Sequence, residues 1–474
     1  MKGLYASIFV VAILHPDVSA AQRPAASIKA PAYGRKCGLP GTKPESVGFS
    51  SERLERLDHV FQDLINNKQL AGAVLLLARN GKLAECKALG YQDLESAKPM
   101  QLDSIFRLAS MTKPIMAVAM MILYEEGKWK PTDPISQYLP ELANLKAFVG
   151  TDGNDSMIME APKHSPTVGE LMTHTAGFTY GFFGGSPVED QYRDVNPLGS
   201  SSSTEFTEKL SKLPLLYQPG ERWVYSLSVD IQGVLVERLS GMTLADFLRE
   251  KIFDPLRMTD TDFFVPVQKQ SRLTTVYGVD TSGSMEPIPR EPLNTKEPGF
   301  TSGGGGLYST PQDYLRFAQM LLNGGELDGV RILAPSSVLL IRTNHLPDRL
   351  MSGQYGVGYF LAQPGLGYGY DVAVYTEPLK LGLSVGKGTF YWDGAAGTWF
   401  WVDPTNYVVF IGMIQRSVKV PPGIDVETLS RVLAKLPDPQ ALSRTLTYQA
   451  LVGDISRHIR PGSQEKRAPE LRGD

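Results

Sequence analysis

RLASMTKPI, residues 107–115, places a serine three positions ahead of a lysine just where the apolar run IMAVAMMIL (115–123) begins. In a helix, positions i and i+3 are neighbours, whereas in a strand they point to opposite faces. The pattern predicts a helix over 112–126, with Ser110 and Lys113 meeting at its N-terminus. Two further Ser-x-x-Lys matches lack this setting. Ser384/Lys387 is interrupted by Gly386, and Ser463/Lys466 lies in the C-terminal tail.

The location has a chemical consequence. The first amides of a helix have no partner within it and the dipole adds to their effect, so negative charge developing near Ser110 is favoured there. A serine hydroxyl is a weak nucleophile until a base accepts its proton. Lys113 can act as that base only when neutral, and holding a lysine neutral at pH 7 costs about 4–5 kcal/mol unless its surroundings lower its proton affinity. The pair therefore needs a desolvated site or a second base. Tyr225, in RWVYSLSVDIQG (222–233) just ahead of a helix expected over 229–240, is the candidate second base. A tyrosinate beside an ammonium is electrostatically reasonable, so Tyr225 and Lys113 are expected to share one proton.

Bulk composition narrows the partners. The chain has 474 residues, 42% apolar and 20% charged, with a formal charge of −3, which describes an ordinary globule with room for more than one domain. No long basic run is present, which argues against nucleic-acid or anionic-membrane partners and favours small, weakly polar substrates. Lys2, the apolar stretch ASIFVVAIL (6–14) and Val18-Ser19-Ala20 read as an export signal too short to span a bilayer. Export to the periplasm or beyond would put Cys37 and Cys86 in an oxidising compartment, and whether they pair is left open. The six histidines show no metal-binding spacing, so no metal is expected.

The strand–turn–strand signal AGAVLLLA–RNG–KLAECKALGY follows a helix beginning at Ser50 or Ser51. Helices are expected at 204–213, 243–252, 424–435 and 440–452, with a further amphipathic one in TPQDYLRFAQMLLNGG, and long loops at 150–166 and 178–203. Strand alternation returns over 388–415. Strands near both ends around a helical middle imply an α+β fold: one antiparallel sheet flanked by helices, with a mostly helical domain inserted. The expected organisation is a signal peptide at 1–20, an extended lead-in at 21–48, a discontinuous sheet domain (49–111 and 296–455), a helical domain at 112–295, and a disordered tail at 456–474.

Taken in order, SMTK, ELMTHTAGF (170–178), YSLS, SGGGGLYSTPQDYLRFAQMLLNGG (302–325) and YWDGAAGTWFWVDP (391–404) resemble the serine β-lactamase and penicillin-binding-protein superfamily. The resemblance is greatest to the family VIII carboxylesterases and runs from about residue 45 to 452. It implies a β-lactamase/transpeptidase-like fold, Ser110 as the acylated residue, Lys113 as its partner and Tyr225 as general base and later acid. It also implies an oxyanion hole from the backbone N–H groups of Ser110 and Ala395. Trp392, Asp393 and Gly394 fall where β-lactamases have Lys-Thr-Gly, and Leu227 stands where the second motif usually has asparagine. These four are therefore expected to contact substrate. An indole and a carboxylate offer no partner to a drug's carboxylate, and Asp393 would repel it. Both departures favour a neutral, apolar ester.

The implied activity is a cofactor-free serine esterase acting on small-molecule esters. The alternatives are β-lactam hydrolysis, cleavage of D-amino-acid peptides, acyl transfer to an alcohol, and a non-catalytic peptidoglycan-binding role. Gly382-Leu383-Ser384-Val385-Gly386 matches the nucleophile elbow of α/β-hydrolases, but no helix is expected after it. His174 is read as a loop-stabilising residue, and the glycines at 303–306 as a place of close backbone approach beside the cleft.

Overall fold

The computed structural model describes residues 37–181, 185–280, 284–288, 296–351, 364–418 and 436–453. The expected signal peptide, most of the lead-in, the helix at 424–435 and the tail at 456–474 lie outside them.

Helix α1 (Ser51–Asn66) begins where the Ser50 side chain accepts the Arg53 N–H, and its buried face is Leu54, Leu57, Phe61, Leu64 and Ile65, the spacing of one helical stripe. Strands β1 (Gly72–Arg79) and β2 (Lys82–Asp93) follow. The turn between them puts Asn80 at φ 53° and Gly81 at φ 72°, the two positive values a tight hairpin turn of this kind requires. Short β3 (Lys98–Pro99) completes the N-terminal contribution. The C-terminal part adds β4 (Leu366–Tyr368), β5 (Ala373–Tyr375), β6 (Phe390–Gly394), β7 (Thr398–Asp403) and β8 (Val408–Met413). The eight strands run in the order β4-β5-β6-β7-β8-β1-β2-β3, antiparallel throughout. The β1–β8 pairing, Val74 opposite Met413 through Arg79 opposite Val408, joins the two ends of the chain into one sheet.

Both faces of the sheet are covered. On one, Phe61 of α1 stacks on Trp399, whose indole N–H donates to Ser443 of α9 (Pro439–Ala450) at 3.1 Å. On the other, Tyr314 of α8 (Pro311–Leu322) packs edge-on against Phe400. Between the two contributions to the sheet come α2 (Lys113–Glu125), α3 (Val168–Met172), α4 (Pro187–Val195), α5 (Ser203–Leu210), α6 (Ser228–Ser240) and α7 (Leu244–Leu248). Helix α2 is buried from Lys113 through Met121 and again at Leu123, with Ile122 half-buried, so IMAVAMMIL is apolar nearly all round because little of it meets water. The architecture is α+β, an antiparallel sheet flanked by helices with a mostly helical insertion.

Several local expectations need correction. The loop expected at 178–203 contains α4, which Ser186 caps by accepting the Val188 N–H. Only three of its nine residues are buried, too few to produce a legible apolar stripe. The loop expected at 150–166 contains part of a hairpin pairing Ala147–Thr151 with Met157–Glu160, whose residues are mostly exposed or half-buried. The helix expected at 243–252 is α only to Leu248 and continues as a π turn over Arg249–Phe253. Residues 37–48 are not simply extended, since Pro44–Val47 forms a 3-10 turn. Cys37 and Cys86 form a disulfide, which resolves the open question of their pairing and ties this segment to β2.

Candidate active site

Ser110 sits in a 3-10 turn over Ala109–Thr112, and α2 starts only at Lys113. The expected helix therefore begins slightly later than its sequence pattern suggested, yet the pair still meets, because a 3-10 turn also brings positions i and i+3 together. Lys113 Nζ donates to Ser110 Oγ at 3.2 Å. Ala109 carries the turn at φ 48°, a left-handed conformation that is uncommon outside glycine and swings the chain so that Ser110 leads the helix.

Lys113 is fully buried. Its ammonium also donates to Tyr180 OH at 3.0 Å and to the Gly304 carbonyl at 2.7 Å, and lies 4.6 Å from the centre of the Tyr225 ring. Burial pulls its proton affinity down to about 8, while the carboxylates of Asp230, Asp371 and Asp393 hold it up. Desolvation, one of the two routes named from sequence, is thus present.

Tyr225 precedes α6, and its hydroxyl interacts with the side chains of Ser110 and Trp392. Burial drives the phenol well above its ordinary value, more than those hydrogen bonds lower it. The tyrosinate expected from sequence is thus disfavoured, and Lys113 is the group the protein brings toward neutrality. Tyr225 is in ring contact with Tyr180 at 5.4 Å, His174 at 5.0 Å and Trp392 at 5.7 Å. This aromatic enclosure is what strips water from the amine.

The third motif lies on β6 and the turn after it. Gly394 presses so closely on Leu108 that a Cβ would collide with the Leu108 carbonyl oxygen, which also accepts from Thr398 Oγ at 3.0 Å. The Gly397 N–H donates to the Gly394 carbonyl at 2.7 Å, closing a turn around half-buried Ala395 beside the segment that carries Ser110. Trp392 faces Tyr225 and Tyr368, whereas Asp393 alternates to the other face of the strand and is half-buried. Burial, helped by Asp438, lifts the Asp393 carboxyl to about 7 against the pull of Arg444 and Lys113. Leu227 needs correction: it is 1% exposed and packs in the core, so its side chain does not line an open cleft.

His174, at φ 56°, accepts the Ser226 N–H on Nδ1 at 3.3 Å, and burial followed by the Lys113 charge pushes its proton affinity well down. That environment disfavours the charged ring, and the bond ties the residue to the segment that carries Tyr225. Ser384 is exposed in an irregular segment with no helix after it. Among the described residues no cluster of metal-ligating side chains occurs and no helix is long and apolar enough to cross a membrane.

Two participants were missed from sequence. Tyr180 follows THTAGF by two residues, and its loop position gave no periodicity to draw attention to it. Asp230 was hidden inside the helical pattern of SVDIQGVLVERL.

The β-lactamase family profile matches residues 57–435, and the chain belongs to that family. Its relatives narrow the class further. It is 32% identical over 364 residues to Esterase EstB of Burkholderia gladioli, covering 73% of this chain and 86% of EstB. It is 30% identical over 387 residues to the lovastatin esterase of Penicillium rubens, covering 77% and 93% respectively. Among solved structures, EstCE1, described as a hydrolase with promiscuous acyltransferase activity, superposes with a TM-score of 0.66 at 24% identity, covering 85% of this chain and 99% of EstCE1. The fold is the β-lactamase fold, the resemblance to family VIII carboxylesterases holds, and the chain is similar to serine hydrolases of esterase type.

Proposed function

We propose that this protein is an exported carboxylesterase that cleaves neutral, apolar esters through an acyl-enzyme on Ser110. The observation that carries the reading is the 3.2 Å approach of a fully buried lysine, shifted toward neutrality, to the Ser110 hydroxyl. Neutral Lys113 takes the Ser110 proton as Oγ bonds to the ester carbonyl carbon. The N–H groups of Ser110 and Ala395 receive the negative charge on the carbonyl oxygen. Two such donors act as an oxyanion hole, where losing one typically costs about a hundredfold to a thousandfold in rate. Collapse breaks the bond to the alcohol oxygen, which leaves with a proton from Tyr225, itself resupplied by Lys113. Water then adds to the acyl carbon, giving its proton to the same pair, and the acid departs with Ser110 restored.

Trp392 supports a substrate without a carboxylate, since an indole standing where a lysine would be brings no positive charge to pair with one. The relationship to two proteins named as esterases supports ester rather than β-lactam cleavage. The Cys37–Cys86 bridge and the N-terminal pattern around Lys2 support export, since such bridges persist where thiols are not kept reduced.

Labelling with a fluorophosphonate followed by peptide mapping, alongside nitrophenyl esters and a chromogenic cephalosporin, tests the reading. An adduct on Ser110 with ester turnover exceeding cephalosporin opening is the expected result. An adduct on Ser384, no adduct, or faster cephalosporin opening would overturn it.

A further inference from the structure

We propose that Asp230 is a positioning residue that fixes both the place and the charge of Lys113, acting through the backbone of Gly304. Asp230 is fully buried on the first turn of α6. Its Oδ1 accepts from Ser302 Oγ at 2.5 Å and from the Gly304 N–H at 3.0 Å. The carbonyl of that same Gly304 accepts from Lys113 Nζ at 2.7 Å. One carboxylate thus holds the N–H side of the residue whose C=O holds the amine.

The clamp has no slack. A Cβ on Gly304 would lie 2.5 Å from Asp230 Oδ2 and 2.9 Å from Tyr180 OH, and one on Gly303 would lie 2.5 Å from the Val229 carbonyl oxygen. The glycine run beside the cleft is therefore what lets the segment reach both partners. Around the amine stand Asp230 from α6, Asp371 from the β4–β5 turn, Asp393 from β6, the phenols of Tyr180 and Tyr225, and neutral His174 behind them. Asp371 is instead held by Gln232 Nε2 at 3.1 Å. Of the three carboxylates, Asp230 has the largest influence on the charge of Lys113 and also holds its carbonyl acceptor. Burying a lysine without such support would lower its proton affinity further and leave its N–H groups unpaired.

This inference rests on Ser110 being the acylated residue, not on which ester is cleaved. Its test is the pH dependence of fluorophosphonate labelling of Ser110 in the full protein, with nitrophenyl acetate hydrolysis in parallel. Asp230→Asn keeps the shape and an oxygen acceptor for both bonds but removes the charge. The rising, acid-side limb set by Lys113 should then move to lower pH by about half to one unit. Asp230→Ala removes the clamp as well, and the limiting labelling rate should fall about tenfold or more as the amine loses its alignment with Ser110. An unmoved limb in Asp230→Asn overturns the proposal, whether or not Asp230→Ala folds. A shifted labelling limb without ester turnover would leave the proposal standing and remove the ester reading instead.

Discussion

Gly394 and Leu108 are in such close contact that no side chain fits between them. This approach docks the third-motif strand against the turn that presents Ser110, and so sets the distance between the two N–H groups assigned to the oxyanion hole. Gly394→Ala must push the strand away or distort the turn. Its kcat should fall about a hundredfold, comparable to the loss of one oxyanion donor, with a smaller effect on thermal stability. Steady-state kinetics with a nitrophenyl ester, beside a melting curve, separate the two effects, and an unchanged kcat would refute the assignment.

The charge of Lys113 should govern activity near pH 8. Because burial lowers its proton affinity to about 8, the amine is charged below that pH and neutral above it. Activity should therefore rise with pH, by about tenfold per unit on the acid side, and level off above about 8. Lys113→Ala should lower kcat about a hundredfold to ten-thousandfold and abolish that limb. A limb that persists in this variant would assign the base elsewhere.

Tyr180 accepts a hydrogen bond from the same amine at 3.0 Å. Tyr180→Phe keeps the ring but removes that acceptor, leaving a buried N–H without it. A hydrogen bond to a charged group is worth about 1.5–3 kcal/mol, so kcat should fall about tenfold to a hundredfold with KM changed little. Equal kcat in the two proteins would make Tyr180 a wall of the cleft and nothing more.

Away from the site, Glu85 is buried on β2 beside Asp58 and Lys87. Burial, reinforced by the Asp58 charge, raises its carboxyl from the ordinary 4.5 to about 7, and Lys87 only partly offsets this. Between those values the folded protein keeps a proton that the unfolded chain has lost. The contribution to stability is thus complete below about pH 4.5 and lost as pH rises to about 7, on the order of 3 kcal/mol at most. In Glu85→Gln, urea midpoints measured across this window should decline less with pH than in the native protein. Parallel declines would exclude Glu85 as their source.

The Cys37–Cys86 bridge closes a loop with a sequence separation of 49 residues. Replacing both cysteines with serine should cost about 2–4 kcal/mol of stability through the freed unfolded chain, with the ester kcat little changed, since neither sulfur approaches the site. Urea unfolding under non-reducing conditions measures this loss.

Elements with strong periodicity were legible in advance. Helix α1, the β1–β2 hairpin and α8 each combine a cap or turn signal with an apolar repeat, and both kinds of signal are local. Helix α4 and the hairpin around 147–160 were not, because little of either is buried and their patterns are weak. Leu227 was misplaced for a related reason: motif position fixes where a residue falls in the chain, not which way its side chain turns at the start of α6.

The sequence by itself determined that Ser110 and Lys113 share one face, since a three-residue spacing and an apolar run are properties of the local backbone. It also carried the order of motifs that marks the family. Only the tertiary structure decided the electrostatics around the amine. Tyr180, the Tyr225–Asp230 segment, Asp371 and Asp393 lie far from Lys113 in the chain and act on it through space. Charge and desolvation depend on distance and packing, which no local pattern encodes.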